Sequence, residues 1–187
     1  MHSAAILAGG QATRFGGRDK STLLVEGCSI RDRQIAALAP LTGDVLIVGG
    51  LPLADIVPGC GPLGGLHTAL THARGDAVFL IACDMPFATT AFIAHLLSLA
   101  GDADIVVPQT ERGYHPLCAV YTRACLEPAA ARLADRQLRM RELVASMRTR
   151  VVAVEDIRRF GDPDRLLANV NTPAEYANLE ALQGHKL

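Results

Sequence analysis

The sequence predicts an α/β fold, a mostly parallel sheet with helices on both faces, and three observations carry that reading. Short apolar runs of strand length recur at residues 4–7, 44–48 (apolar from Val45 on) and 77–82, the pattern of strands covered on both sides. Between them lie segments with helix caps and helical spacing, and strands that alternate with helices build parallel sheets. Breakers cluster after the strands: four glycines from Gly9 to Gly17, and seven Gly or Pro residues from Pro52 to Gly65.

At 187 residues the chain is expected to form one domain, 1–187, long enough to bury a substantial core. Half of it is hydrophobic and only 4% aromatic, so that core is built from aliphatic side chains. A net charge of −1 gives no basic footprint for nucleic acid. No apolar run approaches the roughly 18 residues of a membrane span, and the first residues lack the basic lead and apolar core of a signal peptide. A cytoplasmic protein with no membrane or nucleic-acid partner is expected. The five cysteines, Cys28, Cys60, Cys83, Cys118 and Cys125, are an odd number without a C-x-x-C pair, which indicates neither a disulfide framework nor a thiolate zinc site.

The elements follow in order. After the first strand and its glycine loop, Gly27 marks a turn, and Ser29 caps a helix running to about Ala39, with Ile30, Ile35 and Leu38 inward and Pro40 beyond its end. A strand at 44–48 ends on Gly49-Gly50. The breaker-rich loop leads to a helix at 66–73, with Gly75 as its stop. The strongest strand, 77–82, delivers Cys83-Asp84-Met85-Pro86 at its end, and Thr89 or Thr90 caps a helix at 91–100. Strands are expected at 104–107, 115–121 and 151–154, with Pro116 restricting the second of these to an edge or a strand start. A helical region covers 124–147 with a break near Asp135, and Thr172-Pro173-Ala174-Glu175 opens a last helix as N-cap, N1 and capping-box carboxylate.

The loop after the first strand, Ala8 to Lys20, holds the four glycines with Arg14, Arg18 and Lys20. Glycine lets backbone approach a ligand closely, successive N–H groups make an anion-binding concavity, and the basic side chains add mobile positive charge. On glycines alone the loop reads equally as a tight turn. It matches neither G-x-x-x-x-G-K-[ST] nor G-x-G-x-x-G. In α/β sheets ligands bind beyond the carboxyl ends of strands, and both this loop and Asp84 sit there. Mg²⁺ takes one or two carboxylates plus phosphate oxygens, which makes Asp84 a candidate ligand; a turn or capping aspartate is the competing role.

The string Leu7-Ala8-Gly9-Gly10-x-x-x-Arg14-x-Gly16-Gly17-x-Asp19-Lys20 resembles the N-terminal signature of the molybdenum cofactor guanylyltransferases. Three later segments are similar to the same family: Cys83-Asp84-Met85-Pro86, the loop from Asp55 to Gly65, and Asn169-Val170-Asn171-Thr172-Pro173. The resemblance implies a three-layer, Rossmann-like nucleotidyltransferase fold and transfer of GMP from GTP to the terminal phosphate of molybdopterin, with release of pyrophosphate. It implies that Leu7, Ala8, Gly9, Gly10, Lys20, Asp55 and Asp84 bind GTP, that Asp84 holds Mg²⁺, and that Arg14, Lys20 and Asp84 are catalytic. His115, Asn169 and Asn171 would face the molybdopterin; without the resemblance, Asp55 reads as a surface acid, Asn171 as a cap or turn residue, and His115 equally as a packed histidine. Molybdoenzymes or their chaperones are the implied recipients.

One departure is Val48, where relatives carry an Asn near the base; backbone groups of Val48 or Gly49 are expected to substitute. Related cytidylyltransferases read L-A-A-G in the first loop, so L-A-G-G favours GTP. CTP on molybdopterin, a sugar phosphate as acceptor, and a non-enzymatic cofactor-delivery protein are the alternatives.

Overall fold

The computed structural model describes residues 1–8 and 20–170, with Lys20 described by its backbone only. The predicted helix start at Thr172 lies outside them. The first strand, β1 (His2–Leu7), pairs in parallel with β4 (Val45–Val48) on one side and β5 (Ala77–Ala82) on the other. Next to β5 comes β8 (Cys118–Thr122), antiparallel, and then β6 (Ile105–Thr110), antiparallel to β8. β9 (Thr149–Val152) lies parallel to β6, and β7 (Gly113–Tyr114) forms a short hairpin with its end. In this seven-stranded sheet all strands but β8 and β7 run one way, so the sheet is mostly parallel, as expected.

Side chains alternate across the sheet, and each face has its own core. Ala5, Leu7, Val78, Leu80, Ile105, Val107, Ala119 and Tyr121 pack under α2 (Gly61–His72), α4 (Leu126–Ala134) and α5 (Met140–Ser146). Ala4, Ile6, Phe79, Ile81, Val106 and Val120 pack under α1 (Ile30–Leu38), α3 (Thr90–Ser98), α6 (Val154–Ile157) and α7 (Pro163–Leu166). This is the three-layer arrangement. Among the described residues, no helix is long and apolar enough to cross a membrane.

Several elements fall where cap chemistry puts them. Ser29 accepts from the Asp32 N–H and opens α1; Thr89 accepts from the Phe92 N–H and opens α3. Gly27 is half of a two-residue hairpin turn, since Glu26 and Gly27 both have positive φ, 53° and 76°, and join β2 (Leu24–Val25) to β3 (Cys28–Ser29). The predicted break near Asp135 separates α4 from α5.

Other elements differ, for physical reasons. The expected strand at 115–121 is a turn at 115–117 followed by β8, a central strand, so Pro116 sits ahead of the strand instead of on an edge. The helix expected at 66–73 begins five residues earlier, at Gly61, with Pro62 in its first turn. Gly64 and Gly65 are therefore helical: a Cβ on Gly65 would lie 2.6 Å from Leu7 Cδ2, so the glycine allows α2 to close onto the end of β1. Gly75 answers a similar demand, since its Cβ would lie 2.5 Å from the Met1 carbonyl oxygen; the helix ends earlier, with Ala73 as its cap. β4 is an edge strand and only half-buried over most of its length, not covered on both faces.

Candidate functional site

Three strand ends meet at one edge of the sheet. The Cys83 N–H donates to the Leu7 carbonyl at 3.1 Å, and the Ala8 N–H donates to the Val48 carbonyl at 2.7 Å. Leu7, Ala8, Val48 and Asp84 are thereby gathered at the carboxyl ends of β1, β4 and β5. The Ala8 N–H is engaged in the sheet, so it is not one of the N–H groups offered to a phosphate. The Gly49 N–H donates to the Leu53 carbonyl at 3.0 Å, so of the two backbone substitutes expected for the missing Asn, the Gly49 donor is taken and the Val48 acceptor already receives Ala8. Gly9, Gly10, Arg14 and Asn171 lie outside the described residues. Lys20 opens a 3-10 turn, Lys20–Thr22.

Asp84 sits in a turn closed by the Met85 N–H on the Ala82 carbonyl, 3.3 Å, with its side chain half-buried. The Val170 N–H donates to the Asp84 carbonyl at 2.8 Å, which brings the Asn169 segment against the turn, with Asn169 itself exposed. Val170 is fully buried and packs with Val25, Ile30 and Phe87. Glu26 bridges Arg33 at 2.9 Å and Arg165 at 3.0 Å over this small core, and the Arg165 guanidinium stands 4.5 Å from the Phe87 ring centroid. The Arg33 Nε also donates to the Pro86 carbonyl at 3.3 Å. The β2–β3 hairpin, the turn of Asp84 and the segment ending at Val170 are thus one packed unit.

Asp55 occupies the loop after β4. The neighbouring Ile56 N–H donates to Thr68 Oγ1, and Thr68 donates to the Gly64 carbonyl, both at 2.9 Å, so the loop is pinned to the first turns of α2. A Cβ on Gly64 would lie 3.1 Å from the Val57 carbonyl oxygen; the glycine is what permits that approach. Asp55 Oδ1 is shut off from solvent with no hydrogen-bond partner, and burial raises the carboxyl pKa above its ordinary value. An acid held this way gains from a donor supplied by a ligand.

His115 lies on the same edge because β8 runs opposite to β5: the residues that enter β8 stand where β5 ends, and the Leu117 carbonyl accepts from Ala82 at 2.9 Å. Its Nε2 is 2.8 Å from Thr110 Oγ1. Burial, then Arg112 and Arg141, lower its pKa, against Asp164. Its neighbours belong to the β6–β7 hairpin, α5 and α7. A groove of about 660 Å³, lined by Arg33, Phe87, Thr89, Phe160 and Arg165 among others, opens beyond Pro86. Asp84 does not line it.

Two residues at this edge escaped the sequence reading. One is Val170, which looked like a spacer between asparagines. The other is Gln34, buried on the inward face of α1, whose Nε2 reaches the Ala82 and Met85 carbonyls. A polar residue between inward Ile30 and Leu38 was the available signal. For a metal, the described residues offer no group of three or more His, Cys, Asp or Glu side chains. A single half-buried carboxylate fits a cation that draws its other ligands from phosphate and water, as Mg²⁺ does.

Known proteins resemble this chain along most of its length. A molybdenum cofactor guanylyltransferase of Desulfosudis oleivorans is 33% identical over 94% of this chain and 93% of its own. The crystal structure of molybdopterin-guanine dinucleotide biosynthesis protein A from Archaeoglobus fulgidus superposes with a TM-score of 0.82 at 22% identity, covering 97% of this chain and 98% of that one. A Mycobacterium tuberculosis H37Rv protein solved in complex with manganese has the same fold, with a TM-score of 0.67 at 18% identity over 95% of this chain and 97% of its own. Residues 4–151 match the family model described as the MobA-like NTP transferase domain, and the chain belongs to that family.

Proposed function

We propose that this chain transfers GMP from GTP to the terminal phosphate of molybdopterin, releasing pyrophosphate and forming the guanine dinucleotide cofactor. The observation that carries the reading is the junction at Asp84. There the end of β1, the turn after β5 and the segment holding Asn169 meet, in a chain whose 33%-identical relative is a molybdenum cofactor guanylyltransferase. The two cores on one sheet support taking 1–187 as one domain. Free thiols on all five cysteines accord with a cytoplasmic setting, and molybdoenzymes or their chaperones would receive the product.

The chemistry asks little of the protein beyond positioning and charge. A terminal phosphate is largely ionised near neutral pH, so no side-chain nucleophile is needed. A phosphate oxygen of the acceptor forms a bond to the α-phosphorus of GTP as the bond to the pyrophosphate oxygen breaks. Arg14 stabilises the leaving pyrophosphate, and Lys20 neutralises charge developing on the α-phosphate. Leu7, Ala8, Gly9 and Gly10 line the nucleotide, Asp55 accepts a hydrogen bond from it, and His115, Asn169 and Asn171 face the pterin. A divalent cation, Mg²⁺ in this reading, would be held by Asp84 and would supply Lewis-acid stabilisation of phosphate oxygens; the manganese-bound relative of the same fold supports a divalent ion.

The test is to incubate the purified chain with GTP, molybdopterin and Mg²⁺ and to follow pyrophosphate and the mass of the pterin. Equimolar pyrophosphate and a GMP-linked pterin are expected. Lys20→Ala should slow turnover by on the order of 10²–10³ with the fold intact. GTP binding without pyrophosphate release would overturn the transfer and leave a delivery protein.

A further inference from the structure

We infer that Gln34 is a positioning residue that sets the Asp84 carboxylate, an inference that rests on the reading of Asp84 as the ligand of a divalent cation. Gln34 lies on the inward face of α1 between Ile30 and Leu38 and is 3% exposed. Its Nε2 donates to the Ala82 carbonyl at 2.8 Å and to the Met85 carbonyl at 3.0 Å. Those are the first and last residues of the turn whose centre is Cys83-Asp84. One carboxamide therefore spends both N–H groups on the two ends of a single turn.

The other half of the carboxamide makes the arrangement informative. Gln34 Oε1 is buried with no hydrogen-bond partner, and an unpaired buried acceptor is destabilising. A Met or Leu at this position would fill the space between α1 and the sheet without that cost. Packing alone does not account for a glutamine; its two donors do. With the Ala82 and Met85 carbonyls held by Gln34, the Asp84 carbonyl by Val170, and the Cys83 N–H by Leu7, the backbone on both sides of Asp84 is fixed. A carboxylate on a fixed turn loses less freedom when it takes up a cation, which raises affinity.

Gln34→Met keeps the length and burial of the side chain and removes both donors. Mn²⁺ is titrated into the full chain in the presence of GTP with free Mn²⁺ followed by electron paramagnetic resonance; GTP affinity without metal and the melting curve are measured alongside. The variant is expected to fold, to bind GTP without metal as the parent does, and to bind Mn²⁺ about tenfold more weakly, the scale of a lost outer partner of a metal ligand. A folded Gln34→Met with parental Mn²⁺ affinity overturns the inference. Should that variant not fold, Gln34→Asn keeps a buried amide but is one methylene too short to span both carbonyls, and parental Mn²⁺ affinity there overturns it equally. Asp84→Asn separates the two claims. If it binds Mn²⁺ like the parent, the ligand reading fails and the Gln34 inference falls with it; if it loses Mn²⁺ while Gln34→Met does not, the inference alone fails.

Discussion

The Val170 N–H donates to the Asp84 carbonyl at 2.8 Å, joining a residue far along the chain to the turn after β5. The bond sits over the small core of Val25, Ile30, Phe87 and Val170, so it is shielded from water and sensitive to packing. Truncating the buried side chain by Val170→Ala should cost on the order of 1–2 kcal/mol and loosen the segment that carries Asn169. Steady-state kinetics should then show a raised KM for molybdopterin with the KM for GTP little changed. A KM for molybdopterin that stays at the parental value, or one that rises only in step with the KM for GTP, would detach this junction from the acceptor side.

Gly65 and Leu7 mark a close helix–strand approach beside the site, with 2.6 Å between a Cβ at 65 and Leu7 Cδ2. Gly65→Ala forces the end of the Leu7 side chain to turn away within a packed core, an overpacking cost of about 1–3 kcal/mol set against about 1 kcal/mol that alanine gains over glycine inside a helix. Leu7→Ala removes the obstructing methyls, so the double variant should be more stable than the sum of the two single losses. Urea denaturation of the four proteins measures the coupling; additive losses would contradict the contact.

Asp55 is held at a cost to stability. Because burial raises its pKa, the folded chain holds the Asp55 proton to higher pH than the unfolded chain, and charging it as pH rises through that window destabilises the fold. Asp55→Asn removes the charge and should melt at a higher temperature than the parent at neutral pH, with the difference shrinking in acid, where both are uncharged. The same variant should bind GTP more weakly. Calorimetry at several pH values together with a GTP titration checks both halves, and a lower melting temperature at neutral pH would refute the burial argument.

For His115 the sign is opposite in cause. Burial first, with Arg112 and Arg141 adding to it, lowers its pKa, so the unfolded chain takes up this proton before the folded one as pH falls below about 6.5. Its contribution to stability is full above that value and is lost as pH drops toward the folded pKa. His115→Gln removes this proton uptake, so stability should fall less steeply than in the parent between about pH 7 and 5.5. Denaturation curves across that range measure the slope, and parallel slopes would count against the assignment.

What was legible in the sequence was what local chemistry decides. β5 begins and ends where its apolar run does, and Ser29 and Thr89 cap helices because capping needs only neighbouring N–H groups. Strand direction was not legible, since β8 runs antiparallel for reasons of pairing with β5 and β6, and no residue of its own announces it. Gly65 reads as a breaker because what it answers to, Leu7, is distant in sequence, and Gly64 because the fold of the Asp55 loop back onto the helix start has no signature of its own. Asp84 could be placed at the sheet edge from the strand that delivers it. Gln34 and Val170 could not, since each acts on the backbone of another element.

Which nucleotide the chain uses, and which acceptor, can be read in one assay. Pyrophosphate release measured with each of GTP, CTP, ATP and UTP, with and without molybdopterin and in the presence of Mg²⁺, tests the proposed transfer most directly. Release is expected with GTP and molybdopterin together, and little with any other pairing. Preferential release with CTP, or release with GTP that does not depend on molybdopterin, would contradict it.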